Sequence, residues 1–198
     1  MNRIKNILDR DGQATYYPAF FAAAESDRYF EILLRETGWK QEPISVYGKT
    51  VMQPRLTAWY GDPGSAYRYS GITMHPETWT LVLMEIRQRV ESISPVIFNS
   101  ALLNQYRDQQ DSVGWHRDNE KSLGINPVIA SVSFGAPRTF LFRYYADKSI
   151  RKSLELTHGS VLLMQGATQH CWEHSIPKQA RPAGPRINIT FRIIQQPA

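Results

Sequence analysis

Arg186-Ile187-Asn188-Ile189-Thr190-Phe191-Arg192-Ile193-Ile194 reads with the two-residue period of a β-strand. Arg186, Asn188, Thr190 and Arg192 fall on one face, and Ile187, Ile189, Phe191 and Ile193 on the other. Two arginines flanking an amide and a hydroxyl suit two situations. One is an edge strand whose polar face meets water. The other is a strand whose polar face lines a closed cavity that holds an anion, because a guanidinium offers a planar fork of donors matched to a carboxylate or phosphate. The rest of the chain has to decide between them.

Upstream, the period of two recurs over residues 159–165, 139–145, 128–135 and 96–106. Arg181-Pro182-Ala183-Gly184-Pro185 breaks structure before the last strand. Ahead of residue 96 the period is helical. Trp79, Val82, Leu83, Ile86 and Val90 mark an amphipathic helix opened by Pro76 and Glu77. Phe30, Leu33 and Leu34 mark an earlier one, with Ser26 as its cap and Gly38 at its end. Tyr16-Tyr17-Pro18-Ala19-Phe20-Phe21 reads as an aromatic plug against the core. Residues 43–60 are punctuated by Pro43, Gly48 and Pro54 and read as short strands and a hairpin, with Val46-Tyr47-Gly48-Lys49 at its tip. Helices followed by a run of short strands predict an α+β protein whose strands form a jelly roll. A flexible arm is expected over residues 1–15 and a single domain over 16–198.

The chain of 198 residues is long enough for one domain with a real core, and 42% apolar with 21% charged residues is an ordinary globular composition. No apolar run approaches the roughly 20 residues of a membrane span, so no membrane partner is expected. Met1-Asn2-Arg3-Ile4-Lys5 is followed by no apolar stretch, so no secretory signal is expected. Cys171 is the only cysteine, which excludes an intramolecular disulfide and fits a reducing compartment. The expectation is an intracellular monomer, cytoplasmic in a bacterium and nuclear in a eukaryote. A net charge of +5 and a pI near 9.4 favour a polyanionic partner such as nucleic acid.

His116-Arg117-Asp118 has the form His-x-Asp, so on extended chain both side chains reach one point. His174 lies further on, shortly before the arginine strand. Two histidines and a carboxylate make a facial triad that leaves positions open on a metal, the ligand set of non-haem Fe(II) oxygenases. Such enzymes commonly consume 2-oxoglutarate, a dianion needing a cationic anchor, and the arginine strand offers one. Asn104 and Tyr106 share a face and can donate to carboxylate oxygens, or can be buried polar groups satisfied by backbone. His158 and His170 lack such partners and read as structural.

These residues carry a resemblance to the AlkB family of Fe(II)/2-oxoglutarate dioxygenases over about residues 16–194. The carriers are Asn104-Gln105-Tyr106, Gly114-Trp115-His116-Arg117-Asp118-Asn119-Glu120, Ile129-Ala130-Ser131-Val132-Ser133-Phe134-Gly135, His158-Gly159-Ser160, His174-Ser175-Ile176-Pro177 and the arginine strand. Val46-Tyr47-Gly48-Lys49, Pro54-Arg55, Tyr60-Gly61-Asp62 and Tyr69-Ser70-Gly71 are similar to the duplex-DNA repair branch. The resemblance implies a double-stranded β-helix core over about 96–194, with N-terminal helices on one side and a nucleotide-recognition lid over about 43–75. His116, Asp118 and His174 would bind Fe(II). Arg186, with Tyr106, would hold the far carboxylate of 2-oxoglutarate. Arg192 and Asn104 would sit at the iron side, and Asn188 and Thr190 between.

The implied reaction uses dioxygen and 2-oxoglutarate, releases succinate and CO2, and removes an N-methyl group as formaldehyde from bases such as 1-methyladenine and 3-methylcytosine in DNA. The same chemistry on RNA or single-stranded DNA is an alternative, as is a silent module that binds damaged DNA. A base in a duplex must be flipped out to reach a buried metal. Tyr69 and the ring of His116 are the implied stacking partners, and Asn119 and Glu120 the groups facing the base. Tyr47 is the implied wedge, a tyrosine where the branch suggests phenylalanine. Lys49, Arg55, Arg68, Arg117, Lys121, Arg138, Arg143 and the loop Lys148-Ser149-Ile150-Arg151-Lys152 are candidates for phosphate contact.

Overall fold

Ile187, Ile189 and Phe191 have no exposure to solvent, and neither does Arg186 on the opposite face of the same strand. A strand buried on both faces belongs in the middle of a layered protein. The computed structural model describes residues 6–46, 48–64, 67–69, 72–74 and 76–195, without the side chains of 45, 46, 67–69 and 72–74. Its elements are β1 (Gln13–Tyr17), α1 (Ala23–Glu36), β2 (Pro43–Val46), β3 (Lys49–Met52), β4 (Leu56–Gly61), β5 (Tyr67–Tyr69), β6 (Ile72–Met74), α2 (Leu81–Glu91), β7 (Ser100–Tyr106) and β8 (Val113–His116). They continue with β9 (Ile129–Gly135), β10 (Arg138–Tyr144), β11 (Arg151–Leu156), β12 (Ser160–Gln165), α3 (Thr168–Cys171), β13 (Trp172–Ile176) and β14 (Arg186–Arg192).

The major sheet has the order β1-β12-β9-β14-β7-β4 and the minor sheet β11-β10-β13-β8, with antiparallel pairing throughout. One face of the major sheet packs on the two long helices. Leu103, Val132, Phe134, Ile187, Ile189 and Phe191 meet Tyr29 and Leu33 of α1 and Val82, Leu83, Ile86 and Val90 of α2. The other face packs on the minor sheet, joining Tyr106, Ile129, Leu162 and Met164 to Phe140, Phe142, Trp172 and Ile176. This is the expected α+β jelly roll with helices on one side. The polar face of β14 therefore points between two sheets, and the edge-strand reading falls away.

Three expectations change. The arm is not loose from residue 6 onward, and residues 1–5 lie outside the description. β1 pairs along β12 from Gln13↔Gln165 to Tyr17↔Val161, and Leu8 and Ala14 are buried in the inter-sheet core. A bare edge on β12 would invite pairing, and β1 supplies it. Ser26 is not a cap. α1 starts four residues earlier, after Ala22, and Ser26 is wholly buried where the helix meets Gly159. Gly159 sits at φ +72, and a Cβ there would lie 2.3 Å from Ser26 Oγ, so both residues must be small. Finally, α2 begins at Leu81 rather than at Pro76, capped by the Thr80 hydroxyl on Leu83 N–H.

Candidate active site

β8 and β13 pair with His116 directly opposite His174, which brings the imidazole centroids to 4.2 Å. Asp118 follows two residues beyond β8. The ligand atoms of the three residues lie within 4.8 Å of one another. Each imidazole Nε2 stands 3.9 Å from an Asp118 oxygen, beyond hydrogen-bond reach and spaced for a shared ion. His116 Nδ1 lies 2.9 Å from Gly114 O, which places the ring proton there and leaves the Nε2 lone pair free. His174 is stacked on Phe140 at 5.3 Å. Burial, with His116 beside it, pushes its pKa down to about 3, so it is neutral and able to ligate. Burial alone would raise the Asp118 carboxyl; Arg192, His116 and His174 outweigh this and hold it below the usual carboxylate range. Arg192 Nη2 donates to Asp118 Oδ2 at 3.0 Å.

A cavity of about 220 Å³ opens beside the triad. Its floor is two rungs of the major sheet. One rung runs Ser133, Asn188, Asn104, Thr57; the next runs Ser131, Thr190, Leu102, Trp59. Asn188 Nδ2 donates to Ser131 Oγ (2.8 Å) and Val132 O (2.9 Å), and Thr190 Oγ1 donates to Asn188 Oδ1 (3.0 Å). Asn104 Oδ1 accepts from Arg55 Nε at 2.7 Å. One rung deeper, Arg186 faces Tyr106 in register, its guanidinium 5.0 Å from the ring centroid. Nη2 donates to Ser133 Oγ at 2.9 Å, but Nε and Nη1 meet no acceptor in hydrogen-bond geometry among the described residues. Burial pushes the Arg186 pKa down to about 10, although the Tyr106 hydroxyl nearby supports the charge. A buried cation with donors to spare fits an anionic ligand with a carboxylate at that end. The triad and this cation together fit Fe(II) and a keto diacid.

The sequence profile of the 2OG-Fe(II) oxygenase superfamily matches residues 13–192. The chain belongs to that superfamily. Its cofactors are Fe(II) and 2-oxoglutarate, with O2 as oxidant. Mouse "Alpha-ketoglutarate-dependent dioxygenase alkB homolog 3" is 44% identical over 212 residues, covering 95% of this chain and 72% of that protein. Human "DNA oxidative demethylase ALKBH2" is 39% identical over 194 residues, covering 93% and 74%. The chain is thus an AlkB-type oxygenase. The solved structure of OsALKBH1 superposes with a TM-score of 0.63 at 19% identity, over 93% of this chain and 99% of that one, and speaks to the fold alone.

Among the site residues of this oxygenase foreseen from sequence, His116, Asp118, His174, Arg192, Asn104, Tyr106, Asn188, Thr190 and Glu120 line one cavity. Arg186 lies behind that lining. Asn119 is exposed and lines a separate hollow with Lys121 and Gly124, because alternation sends it outward between Asp118 and Glu120. The side chains of Tyr69 and Arg68, and the whole of Tyr47, lie outside the description. Several proposed phosphate contacts are otherwise employed. Arg55 is buried in the cavity wall. Arg138 is wholly inside, donating to the carbonyls of Asp108, Asp111 and Pro177. Arg143 pairs with Glu173 and covers Trp115, and Arg117 lies 3.8 Å over Tyr145 while donating to His170 O. The stretch read as a loop over 148–152 runs into β11 at Arg151; Lys152 pairs with Asp9 and Lys148 approaches Glu173, so acids offset part of the cluster. Lys49 and Lys121 are exposed. His158 accepts from Gly135 N–H and His170 from Asn126 N–H, both structural as expected.

The reading from sequence missed Gln53, Thr57 and Trp59 as cavity wall, and with them Gln169. Gln53-x-Arg55-x-Thr57-x-Trp59 carries the same alternation as the arginine strand. That signal was legible but was spent on predicting a hairpin.

Proposed function

We propose that this oxygenase repairs alkylated DNA by oxidative demethylation of N-methylated bases such as 1-methyladenine and 3-methylcytosine. The observation that carries the reading is the His116–Asp118–His174 cluster beside a cavity behind whose lining the buried cation Arg186 keeps two donor nitrogens without an acceptor among the described residues. The names of the relatives supply the substrate class. His116, Asp118 and His174 hold Fe(II), and Arg192 keeps the Asp118 carboxylate ionised and aimed. Arg186, beside Tyr106, anchors the far carboxylate of 2-oxoglutarate, with Asn104, Asn188 and Thr190 shaping the passage to the metal. When bound, iron and 2-oxoglutarate convert dioxygen into the oxidant that hydroxylates the methyl group, which then leaves as formaldehyde. Glu120 offers a carboxylate to a cationic base, and Tyr69 a stacking face. Tyr47, between β2 and β3 in the sequence, is the wedge that fills the gap left in a duplex. The site of action is intracellular.

Purified protein with Fe(II), ascorbate and 2-oxoglutarate is expected to release succinate and formaldehyde stoichiometrically from a 1-methyladenine oligonucleotide, and His116→Ala to release neither. Retained turnover in His116→Ala would refute the metal assignment. Parallel rates on single-stranded DNA, duplex DNA and RNA, with Tyr47→Ala beside them, test the substrate; equal rates on all three would refute a DNA enzyme.

A further inference from the structure

α3 is a single turn whose residues bond in different directions. The Thr168 hydroxyl accepts from Gln13 N–H at 2.8 Å, which ties the turn to β1. His170 O accepts from Arg117 Nη1 at 2.9 Å. Between them Gln169 is wholly buried, with Oε1 accepting the Asp118 N–H at 3.0 Å and Nε2 3.5 Å from Met164 Sδ. A thioether is a weak acceptor, so the amide gains little at that end. An apolar side chain of similar size would fill the space without burying a polar group. What the amide adds is its hold on Asp118. Asp118 lies past the end of β8, where no ladder partner reaches its N–H, and a buried N–H without an acceptor is costly.

We infer that Gln169 is a positioning residue for the metal-ligating Asp118. It fixes the backbone from which the carboxylate reaches the metal, while Arg192 holds one carboxylate oxygen from the opposite sheet. Two supports from separate elements leave Asp118 a single orientation toward His116 and His174. The inference rests on Asp118 being a metal ligand.

The test is Mn(II) affinity, measured by titration calorimetry with 2-oxoglutarate present, alongside the melting temperature of the metal-free protein. Gln169→Leu and Gln169→Met keep the packing and remove the acceptor; Mn(II) affinity is expected to fall about 10- to 100-fold, as for other supporting partners of metal ligands. Gln169→Glu keeps an acceptor oxygen and is expected to bind at least as tightly as wild type. Thr168→Val, on the same turn, is expected to lower the melting temperature and leave affinity unchanged. Wild-type affinity in both Gln169→Leu and Gln169→Met would overturn the inference, as would an equal loss in Thr168→Val or in Gln169→Glu. If only one of the two apolar variants folds, that variant decides. Wild-type protein that binds no Mn(II) would instead overturn the metal site on which the inference rests.

Discussion

Replacing Arg186 by methionine should cost the ligand-free protein little and cost the co-substrate nearly everything. Arg186 is wholly buried, and its pKa is pushed from 12.5 to about 10. At ~1.4 kcal/mol per pKa unit, keeping the charged form inside costs about 3 kcal/mol. That penalty is complete at neutral pH, where the group is cationic both folded and unfolded. It eases only as pH rises above the folded value. Against it stands the hydrogen bond to Ser133, worth about 1.5–3 kcal/mol for a charged donor; the support from Tyr106 is already contained in the shift. The two sides nearly cancel, so Arg186→Met should melt within about 4 °C of wild type without ligand. Co-substrate binding breaks the balance. At a hundred times its Kd, 2-oxoglutarate should stabilise wild type by about 2.7 kcal/mol, which is roughly 5–10 °C for a domain of this size. In Arg186→Met that rise should vanish. The assay is thermal melting of Mn(II)-loaded protein with and without 2-oxoglutarate. A variant that melts far below wild type without ligand, or one that keeps the full ligand shift, would refute the reasoning.

Two further outcomes concern stability. Asp111 accepts from Arg107 at the backbone N–H, Nε and Nη2, at 2.9, 2.8 and 2.8 Å. Burial pulls its pKa upward, but Arg107 and Arg138 outweigh that and hold it below 3.8. The stability it contributes is therefore complete above about pH 4 and lost as pH falls through the folded value. Asp111→Asn should lose about 1–3 kcal/mol at pH 7 in urea melts, with the difference from wild type shrinking in acid; a gap independent of pH would contradict this. Gly159→Ala should lose about 2–4 kcal/mol through its positive φ and the collision with Ser26, and Ser26→Gly should restore part of it. A fully stable Gly159→Ala would show that α1 can shift.

The architecture was legible where burial writes an alternating pattern. The strands of the major sheet announce themselves because one face meets helices and the other meets a cavity, and β14 shows both in seven residues. The minor sheet was harder. β8 is Val-Gly-Trp-His and β13 is Trp-Glu-His-Ser-Ile. Each strand is short and interrupts its buried apolar positions with a metal-ligating histidine, His116 in β8 and His174 between Trp172 and Ile176 in β13, so the strands bearing the chemistry lacked the usual signature. The His-x-Asp spacing made up for it. Arg55 and Arg138 were read as surface cations because charge alone does not show which guanidiniums have internal carbonyl or amide partners. β1 was hidden for a related reason: two small clusters of apolar atoms, at Leu8 and Ala14, hold a stretch that is otherwise polar.

The position of β14 shapes how this chain must be made. It leaves the ribosome after every other strand of the structure, yet it lies between β9 and β7, near the middle of its sheet. A nascent chain halted before residue 186 holds two bare edges facing one another across a gap. Stop codons even a short way upstream of that point should therefore give insoluble or degraded product rather than a weakened enzyme. Emerging chains would also be natural clients for a chaperone until the final strand slots in.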